Sequence, residues 1–241
     1  MPSYKSKTII AGNHIRRLDC SVSILYGFEN KKSNYEKKTE GEKKDYSLRR
    51  TQDNLVLTID CNVNKYSKFL TLTFRSPVLE RDEAMKYFNS FQKFFKREFN
   101  EVLRYVGVTE RQKKRGINEN NEGSWHFHLV VFNSRKLDFE KLKSAWPYGS
   151  VDIKKIDKVE NLGRYLGKYL SKGNENGLNK KSVLKSRGLK EPIELKNEIP
   201  YSDMVQTYQR SYERYIEETG EIIQYTITDY IITKAMNNQQ K

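Results

Sequence analysis

Two histidines, His126 and His128, stand two positions apart in the apolar and aromatic stretch 124–133. In a β-strand, side chains two positions apart point to the same face and lie about 6 to 7 Å apart. Two imidazoles at that spacing can bind one metal ion if a neighbouring strand supplies a third ligand. The chain has only three histidines, so such a pair is uncommon by chance. The alternative is that both are ordinary polar residues on the wet face of a half-buried strand.

A candidate for the third ligand is Glu110, at the end of the predicted strand 105–110. Residues 111–120 are basic and polar and contain Gly116, a composition typical of a loop. We therefore predict that this strand and the histidine strand form an antiparallel hairpin, which brings Glu110 near the histidines. Two histidines and a carboxylate suit Mn²⁺ at least as well as Mg²⁺. By itself, a glutamate at a strand end is more often a solvated charge than a ligand.

Two tyrosines, Tyr165 and Tyr169, lie four positions apart in 161–172, a segment predicted to be helical. Each is followed three positions later by a lysine, Lys168 or Lys172, on the same helix face. A phenol with its ordinary pKa near 10 is a poor nucleophile at neutral pH, and a nearby ammonium group can activate it. The 16 tyrosines of the chain give about one such pair by chance. The lysines therefore distinguish this helix more than the tyrosine spacing does.

The elements that must position these residues predict an α+β fold. Residues 69–74 alternate apolar residues with threonine, which is typical of a strand, and 149–153 is predicted to return to the same sheet. Phenylalanines at helical spacing in 80–99 predict a helix with an aromatic core face. A short helix is predicted over 138–146, and a helix is preferred to a strand over 51–63. We expect a central antiparallel sheet with helices packed on one face.

Composition indicates a polyanionic partner. The 241 residues carry a formal net charge of +14, and 32% of them are charged. Nucleic acid is favoured over membrane, because no apolar run is long enough to span a bilayer and no basic amphipathic helix is evident. The N-terminus lacks the continuous apolar region of a signal peptide, so we expect a cytoplasmic protein.

We expect extensions at both ends of the predicted α+β core, an N-terminal one over 1–65 and a C-terminal one over 176–241. Residues 29–50 have almost no aliphatic content and are predicted to form a mobile polar arm, because they cannot bury enough apolar surface to offset ordering. The C-terminal extension is predicted to contain a hairpin with strands over 212–217 and 221–230. Its role cannot be predicted from the sequence.

The order of these features resembles that of rolling-circle replication initiators of the HUH endonuclease superfamily, as found in small plasmids and single-stranded DNA phages. The strand 69–74, Glu110 with its basic loop, the histidine pair and the tyrosine helix follow one another in that order over roughly 66–175. Relaxases place the tyrosine before the histidines, so the order favours initiators. The resemblance implies an RRM-like or ferredoxin-like HUH nuclease core.

The resemblance also implies a chemistry. His126, His128 and Glu110 would bind Mg²⁺ or Mn²⁺, and Tyr165 or Tyr169 would attack a phosphodiester of single-stranded DNA at an origin. Lysines beside the tyrosines would stabilise developing charge. A 5′-phosphotyrosine keeps the energy of the cleaved bond, so the strand could be rejoined without ATP, and the sequence contains no GxxxxGK[ST] phosphate loop.

Partners follow from what the sequence carries. It has no helicase motif, so a host helicase and polymerase are expected, in the cytoplasm of a bacterial host. The basic residues after Glu110 are the predicted DNA-binding set: Arg111, Lys113, Lys114 and Arg115.

Two alternatives remain open. A single-strand transposase of the same superfamily usually ends soon after its tyrosine helix, which would leave the long tail unexplained. A noncatalytic protein that binds single-stranded nucleic acid would use the aromatic residues as stacking platforms.

Overall fold

The structure, a computed structural model, describes residues 3–25, 40–112, 123–133, 135–156, 166, 183–198, 203–216 and 220–232. Within these ranges the chain forms ten strands and three helices of at least seven residues. In chain order they are β1 (Ser3–Ala11), β2 (His14–Leu25), α1 (Glu40–Asn62), β3 (Lys68–Phe74), α2 (Arg81–Phe99), β4 (Tyr105–Arg111), β5 (Trp125–Val131), α3 (Phe139–Ala145), β6 (Gly149–Lys155), β7 (Val183–Lys185), β8 (Ile193–Lys196), β9 (Met204–Ile216) and β10 (Glu221–Ile232).

The chain folds as two compact units. The central unit comprises 43–189, and the terminal unit combines 1–42 with 190–241. None of the described helices is long and apolar enough to cross a bilayer.

The central unit contains a five-stranded antiparallel sheet with the order β6-β3-β5-β4-β7. The predicted hairpin of β4 and β5 is present, with Gly107 opposite Leu129 and Glu110 opposite His126. The α+β class and the central antiparallel sheet predicted from the sequence are therefore confirmed.

Helices α2 and α3 cover one face of this sheet. The ring of Phe88 stacks on that of Phe127 in β5, with centroids 4.7 Å apart. The indole Nε1–H of Trp146 donates a hydrogen bond of 2.9 Å to the carbonyl oxygen of Thr73, which anchors the end of α3 to β3. The aromatic stripe predicted over 80–99 thus forms core. Its buried members are Phe88, Phe91, Phe95 and Phe99.

Helix α1 packs against the opposite face, which the sequence did not predict. Leu55 and Ile59 are buried there with Val130 of β5. The helical preference for 51–63 is confirmed as far as Asn62, but α1 begins at Glu40. Residues 40–50, predicted as part of a mobile arm, are therefore helical. Lysine, glutamate and arginine are good helix formers, and a helix that docks through its C-terminal half can extend into such a polar stretch.

The terminal unit is a second five-stranded antiparallel sheet, with the order β8-β1-β2-β10-β9. Both ends of the chain contribute strands to it. Strands β9 and β10 pair where the sequence predicts a hairpin, with Ile216 opposite Glu221. Gly220, at the turn, has a φ of 69°, a conformation that favours glycine.

Candidate functional site

The histidine pair lies on the face of the central sheet that is opposite α2 and α3 and against part of which α1 packs. We call this the histidine face. Residues that are directly opposite on neighbouring strands share a face, so the pairing register orders the side chains into rows. Across β6, β3, β5 and β4 the rows are Ser150, Thr73, His126 and Glu110; then Asp152, Thr71, His128 and Val108; then Lys154, Phe69, Val130 and Val106. The first two rows are largely polar, and the third is mostly apolar and is packed with α1.

His128 is the best-defined member of the site. Its Nε2 atom lies 2.9 Å from a carboxylate oxygen of Glu110, and both side chains are about nine-tenths buried. Its Nδ1 atom lies 3.4 Å from the hydroxyl oxygen of Thr71. The ring of Phe69 stacks beside the imidazole, with centroids 6.1 Å apart. Contacts on three sides therefore fix the orientation of this imidazole.

The donor types and one spacing fit a divalent metal ion. In an octahedral site with bonds of about 2.1 Å, two adjacent ligand atoms are about 3.0 Å apart. The distance of 2.9 Å between His128 Nε2 and the Glu110 carboxylate is close to that value. His126 lies directly opposite Glu110 on the same face and is only partly buried. Within the described ranges no three His, Cys, Asp or Glu side chains are already grouped as a metal site.

Leu166 is the one described residue of 157–182, the segment that contains the predicted tyrosine helix. It is helical and completely buried, and it packs in the apolar cluster of the histidine face with Val108 and Val130. In the sequence, Leu162, Leu166 and Leu170 are four positions apart and predict an apolar stripe on that helix, with which the burial of Leu166 agrees. The predicted catalytic residues Tyr165, Lys168, Tyr169 and Lys172 lie outside the described residues.

Of the predicted DNA-binding residues, only Arg111 is described; Lys113, Lys114 and Arg115 lie outside the described ranges. Arg111 pairs with Trp125 at the end of the hairpin, so it belongs to the face opposite the histidines. Its Nε–H donates a hydrogen bond of 3.1 Å to the carbonyl oxygen of Gly123. This hydrogen bond links the last residue of β4 to the residues that precede β5.

Sequence reasoning missed several polar neighbours of the histidines. The alternation in 69–74 predicts a strand, and it also places Thr71 and Thr73 on one face, where they lie opposite His128 and His126. Asp152 and Lys154 of β6 lie in the second and third rows, and their side chains form an exposed ion pair of 3.3 Å. The strand β6 was predicted, but nothing in the sequence gave its register relative to β3.

The fold and the site together define an α+β protein with a candidate two-histidine, one-carboxylate centre on an antiparallel sheet. Residues 67–174 match the family model described as replication-associated protein ORF2/G2P. The matched segment is a little under half of the chain and contains the histidine pair, Glu110 and the tyrosine-lysine segment. No curated protein and no solved structure matches the chain. The match confirms the predicted resemblance to replication initiators and is consistent with rolling-circle replication.

Proposed function

We propose that the protein initiates rolling-circle replication by nicking and rejoining single-stranded DNA at an origin, in the manner of an HUH endonuclease. The observation that carries the proposal is the His128–Glu110 pair, with His126 on the same sheet face, inside the segment that matches replication-associated proteins. A host helicase and polymerase would act with it, since initiation supplies only the nick.

In this proposal His126, His128 and Glu110 hold Mg²⁺ or Mn²⁺. The ion, when bound, would polarise the scissile phosphate and favour its attack by a nucleophile. Glu110 contributes the negative charge that a divalent cation requires. Thr71 holds the imidazole of His128 in place through Nδ1, so that Nε2 points toward Glu110.

The nucleophile in this proposal is Tyr165 or Tyr169. The tyrosine oxygen would bond to phosphorus, the bond from phosphorus to the 3′ oxygen would break, and that oxygen would leave as a hydroxyl after taking a proton. Lys168 and Lys172 would favour the phenolate form of the tyrosines. Support comes from Leu166, the neighbour of Tyr165 in the sequence, which is buried on the histidine face.

Two tyrosines would allow two successive cuts. If one tyrosine holds the 5′ end of the nicked strand, the other is available to cut the regenerated origin after a round of synthesis. The released 3′ hydroxyl would then attack the first phosphotyrosine and close a circle. The simpler alternative is that a single tyrosine reacts and the other contacts DNA or packs.

A covalent adduct tests the proposal. The purified chain is incubated with a pool of single-stranded oligonucleotides and Mn²⁺, and the protein-DNA bands that survive denaturation are mapped by peptide. We expect adducts on Tyr165 or Tyr169, and none in EDTA or in the variant His128→Ala, because the phosphate is then not polarised. Tyr215 is an exposed tyrosine outside this segment, and Tyr215→Phe, which removes its hydroxyl, is the control expected to retain adducts.

The single Phe variants separate the two schemes. Adducts on each tyrosine that persist when the other is replaced would support alternation, whereas loss of all adducts in only one variant would identify a single nucleophile. Adducts that persist in Tyr165→Phe/Tyr169→Phe would remove these residues from the mechanism. A wild-type chain that binds the oligonucleotides but forms no adduct would favour the noncatalytic alternative.

A further inference from the structure

Tyrosine and arginine alternate along β9, the edge strand of the terminal sheet. Tyr208, Arg210, Tyr212 and Arg214 are each two positions apart, and their pairing with β10 is regular from Tyr208 to Ile216. They therefore share one face of the sheet, with about 7 Å between successive side chains. Tyr208 and Tyr212 are 43% and 46% exposed, and both arginines are exposed. We call this the Tyr-Arg face.

The neighbouring strand places an aromatic ring beside one of the exposed tyrosines. Tyr225 of β10 lies opposite Tyr212, and the two rings stack with centroids 5.0 Å apart and planes 11° apart. Ile227 lies opposite Arg210. The next strand, β2, places Leu18 beside Ile227. Apolar and aromatic side chains therefore continue from the edge strand onto the two neighbouring strands of this face.

The charge of this face is positive. Asp229, opposite Tyr208, is engaged by Arg16, whose Nε and Nη2 atoms lie 2.7 and 3.0 Å from its two carboxylate oxygens. This carboxylate is therefore neutralised within the sheet. Among the paired residues of the five strands, five cations and three carboxylates lie on this face: Lys7, Arg16, Lys196, Arg210 and Arg214, with Glu194, Glu221 and Asp229.

We propose that the Tyr-Arg face binds single-stranded DNA and is a second DNA-binding surface, in a different structural unit from the candidate cleavage site. Every base has a π-face that can stack on a tyrosine, and guanidinium groups bind the phosphates between bases. Alternation along one strand presents both groups in turn. Exposed tyrosines and arginines on an edge β-strand suit single-stranded DNA better than duplex DNA, because the bases of a duplex are already stacked on one another. This binding would require neither the metal nor the tyrosine nucleophile.

The opposite face of β9 supplies a matched control. Tyr215 is 62% exposed, more than either tyrosine of the Tyr-Arg face, but it is one position out of phase and therefore points to the other side. Replacement of Tyr215 removes the same ring from the same strand. If DNA affinity depended only on the amount of exposed aromatic surface, replacement of any of the three tyrosines would weaken it equally. If it depends on the Tyr-Arg face, replacement of Tyr208 and Tyr212 weakens it and replacement of Tyr215 does not.

The test measures affinity for a fluorescent oligothymidylate in EDTA, so that cleavage cannot contribute. For Tyr208→Leu/Tyr212→Leu we expect affinity at least tenfold weaker than wild type, because leucine keeps apolar bulk but offers no ring for stacking. Tyr215→Leu should bind as wild type does. Arg210→Gln/Arg214→Gln should also bind at least severalfold more weakly, while Lys141→Gln/Lys143→Gln, which removes two exposed charges from α3, should bind nearly as wild type does.

Equal affinity of the Tyr208/Tyr212 and Tyr215 variants for oligothymidylate would overturn the proposal. Circular dichroism of each variant checks that the sheet is intact, and the single variant Arg210→Gln retains the test if the tyrosine double variant does not fold. A second copy of the chain could occupy this face instead of DNA, and sedimentation of the chain without DNA tests this alternative. If the wild type is a dimer, and the Tyr208/Tyr212 variant is a monomer that binds DNA normally, the face belongs to a second copy of the chain and the proposal is wrong.

Discussion

At the scale of single residues, the hydroxyl of Thr71 can hydrogen-bond His128 both when Nε2 contacts Glu110 and when Nε2 binds a metal ion. In the structure, His128 Nε2 lies 2.9 Å from the Glu110 carboxylate and Nδ1 lies 3.4 Å from the Thr71 hydroxyl. A neutral imidazole that donates Nε2–H to the carboxylate can accept a hydrogen bond from Thr71 at Nδ1. A metal ligand must instead present the lone pair of Nε2 and carry its proton on Nδ1. A hydroxyl can donate to Nδ1 in the first state and accept from Nδ1–H in the second. Thr71 therefore suits both states.

If the proposed metal site is correct, substitution of Thr71 should weaken the binding of Mn²⁺. Valine keeps the shape of threonine but can neither donate to Nδ1 nor accept from it, so Thr71→Val should bind Mn²⁺ about tenfold more weakly by calorimetry or electron paramagnetic resonance. Thr51→Val is the control, because the Thr51 hydroxyl donates to the carbonyl oxygen of Ser47 within α1. Unchanged Mn²⁺ affinity in Thr71→Val would show that the 3.4 Å contact does not orient the histidine.

At the scale of elements, the position of His128 depends on how closely β4 and β5 approach. Gly107 of β4 lies opposite Leu129 of β5. A Cβ atom on Gly107 would lie 2.3 Å from Leu129 Cδ2 and 2.8 Å from the carbonyl oxygen of His128. The second contact is with backbone, which cannot move without shifting the strand. A glycine on the α2 side of the sheet therefore controls the placement of a histidine on the other side.

Gly107→Ala should reduce stability and also the binding of Mn²⁺ to the proposed metal site. We expect a loss of about 1–3 kcal/mol in the free energy of unfolding, as for other overpacked sites. Urea titration followed by tryptophan fluorescence reports on the central unit alone, because both tryptophans, Trp125 and Trp146, lie there. Mn²⁺ affinity should fall as β5 shifts.

Gly188→Ala is the control for Gly107→Ala. Gly188 lies in the same unit with open space around its Cα, but its φ of 72° is unfavourable for alanine. It should lose about 1 kcal/mol through backbone strain, with Mn²⁺ affinity unchanged. Equal effects of the two substitutions on Mn²⁺ affinity would exclude a specific role for the close approach at Gly107.

The elements that the sequence predicted are those with a strong local period. Alternation defined β3, and the phenylalanine spacing defined α2, so the sheet and its covered face could be predicted. The site followed in part, because the hairpin of β4 and β5 is a local pairing. By contrast, β7 has only three residues and joins the sheet through a distant pairing with β4. The polar neighbours of the histidines depend on the register between β3 and β6, which no local pattern determines.

The terminal sheet illustrates the same limit over a longer distance. Strand β2 pairs with β10, so Cys20 lies directly opposite Tyr225 although most of the sequence separates these two residues. The hairpin of β9 and β10 could be predicted from its turn, but its union with the N-terminal strands could not. The Tyr-Arg alternation in β9 was present in the sequence, and it acquires meaning only once that strand is known to be an edge.

At the scale of the whole molecule, the formal net charge of +14 makes DNA binding dependent on salt. Each phosphate that the protein neutralises releases counterions, and the logarithm of the binding constant for a single strand falls with the logarithm of salt concentration by about 0.7 per phosphate. The total slope therefore counts the phosphate contacts. Charge-matched substitutions at different places can then locate them.

The triple variant Lys113→Ala/Lys114→Ala/Arg115→Ala should flatten the salt slope by up to about 2, since three contacts at about 0.7 each are removed. The control is Lys86→Ala/Lys93→Ala/Lys96→Ala, which removes the same charge from the exposed side of α2, the helix that covers the face opposite the histidines. Its overall affinity should fall slightly through the lower net charge, with little change in slope, because charges that touch no phosphate release no bound counterion. Equal salt slopes for the wild type and the 113–115 variant would show that DNA binds away from these residues. A flattened slope in the α2 variant would show that DNA binds on the side of the sheet that α2 covers.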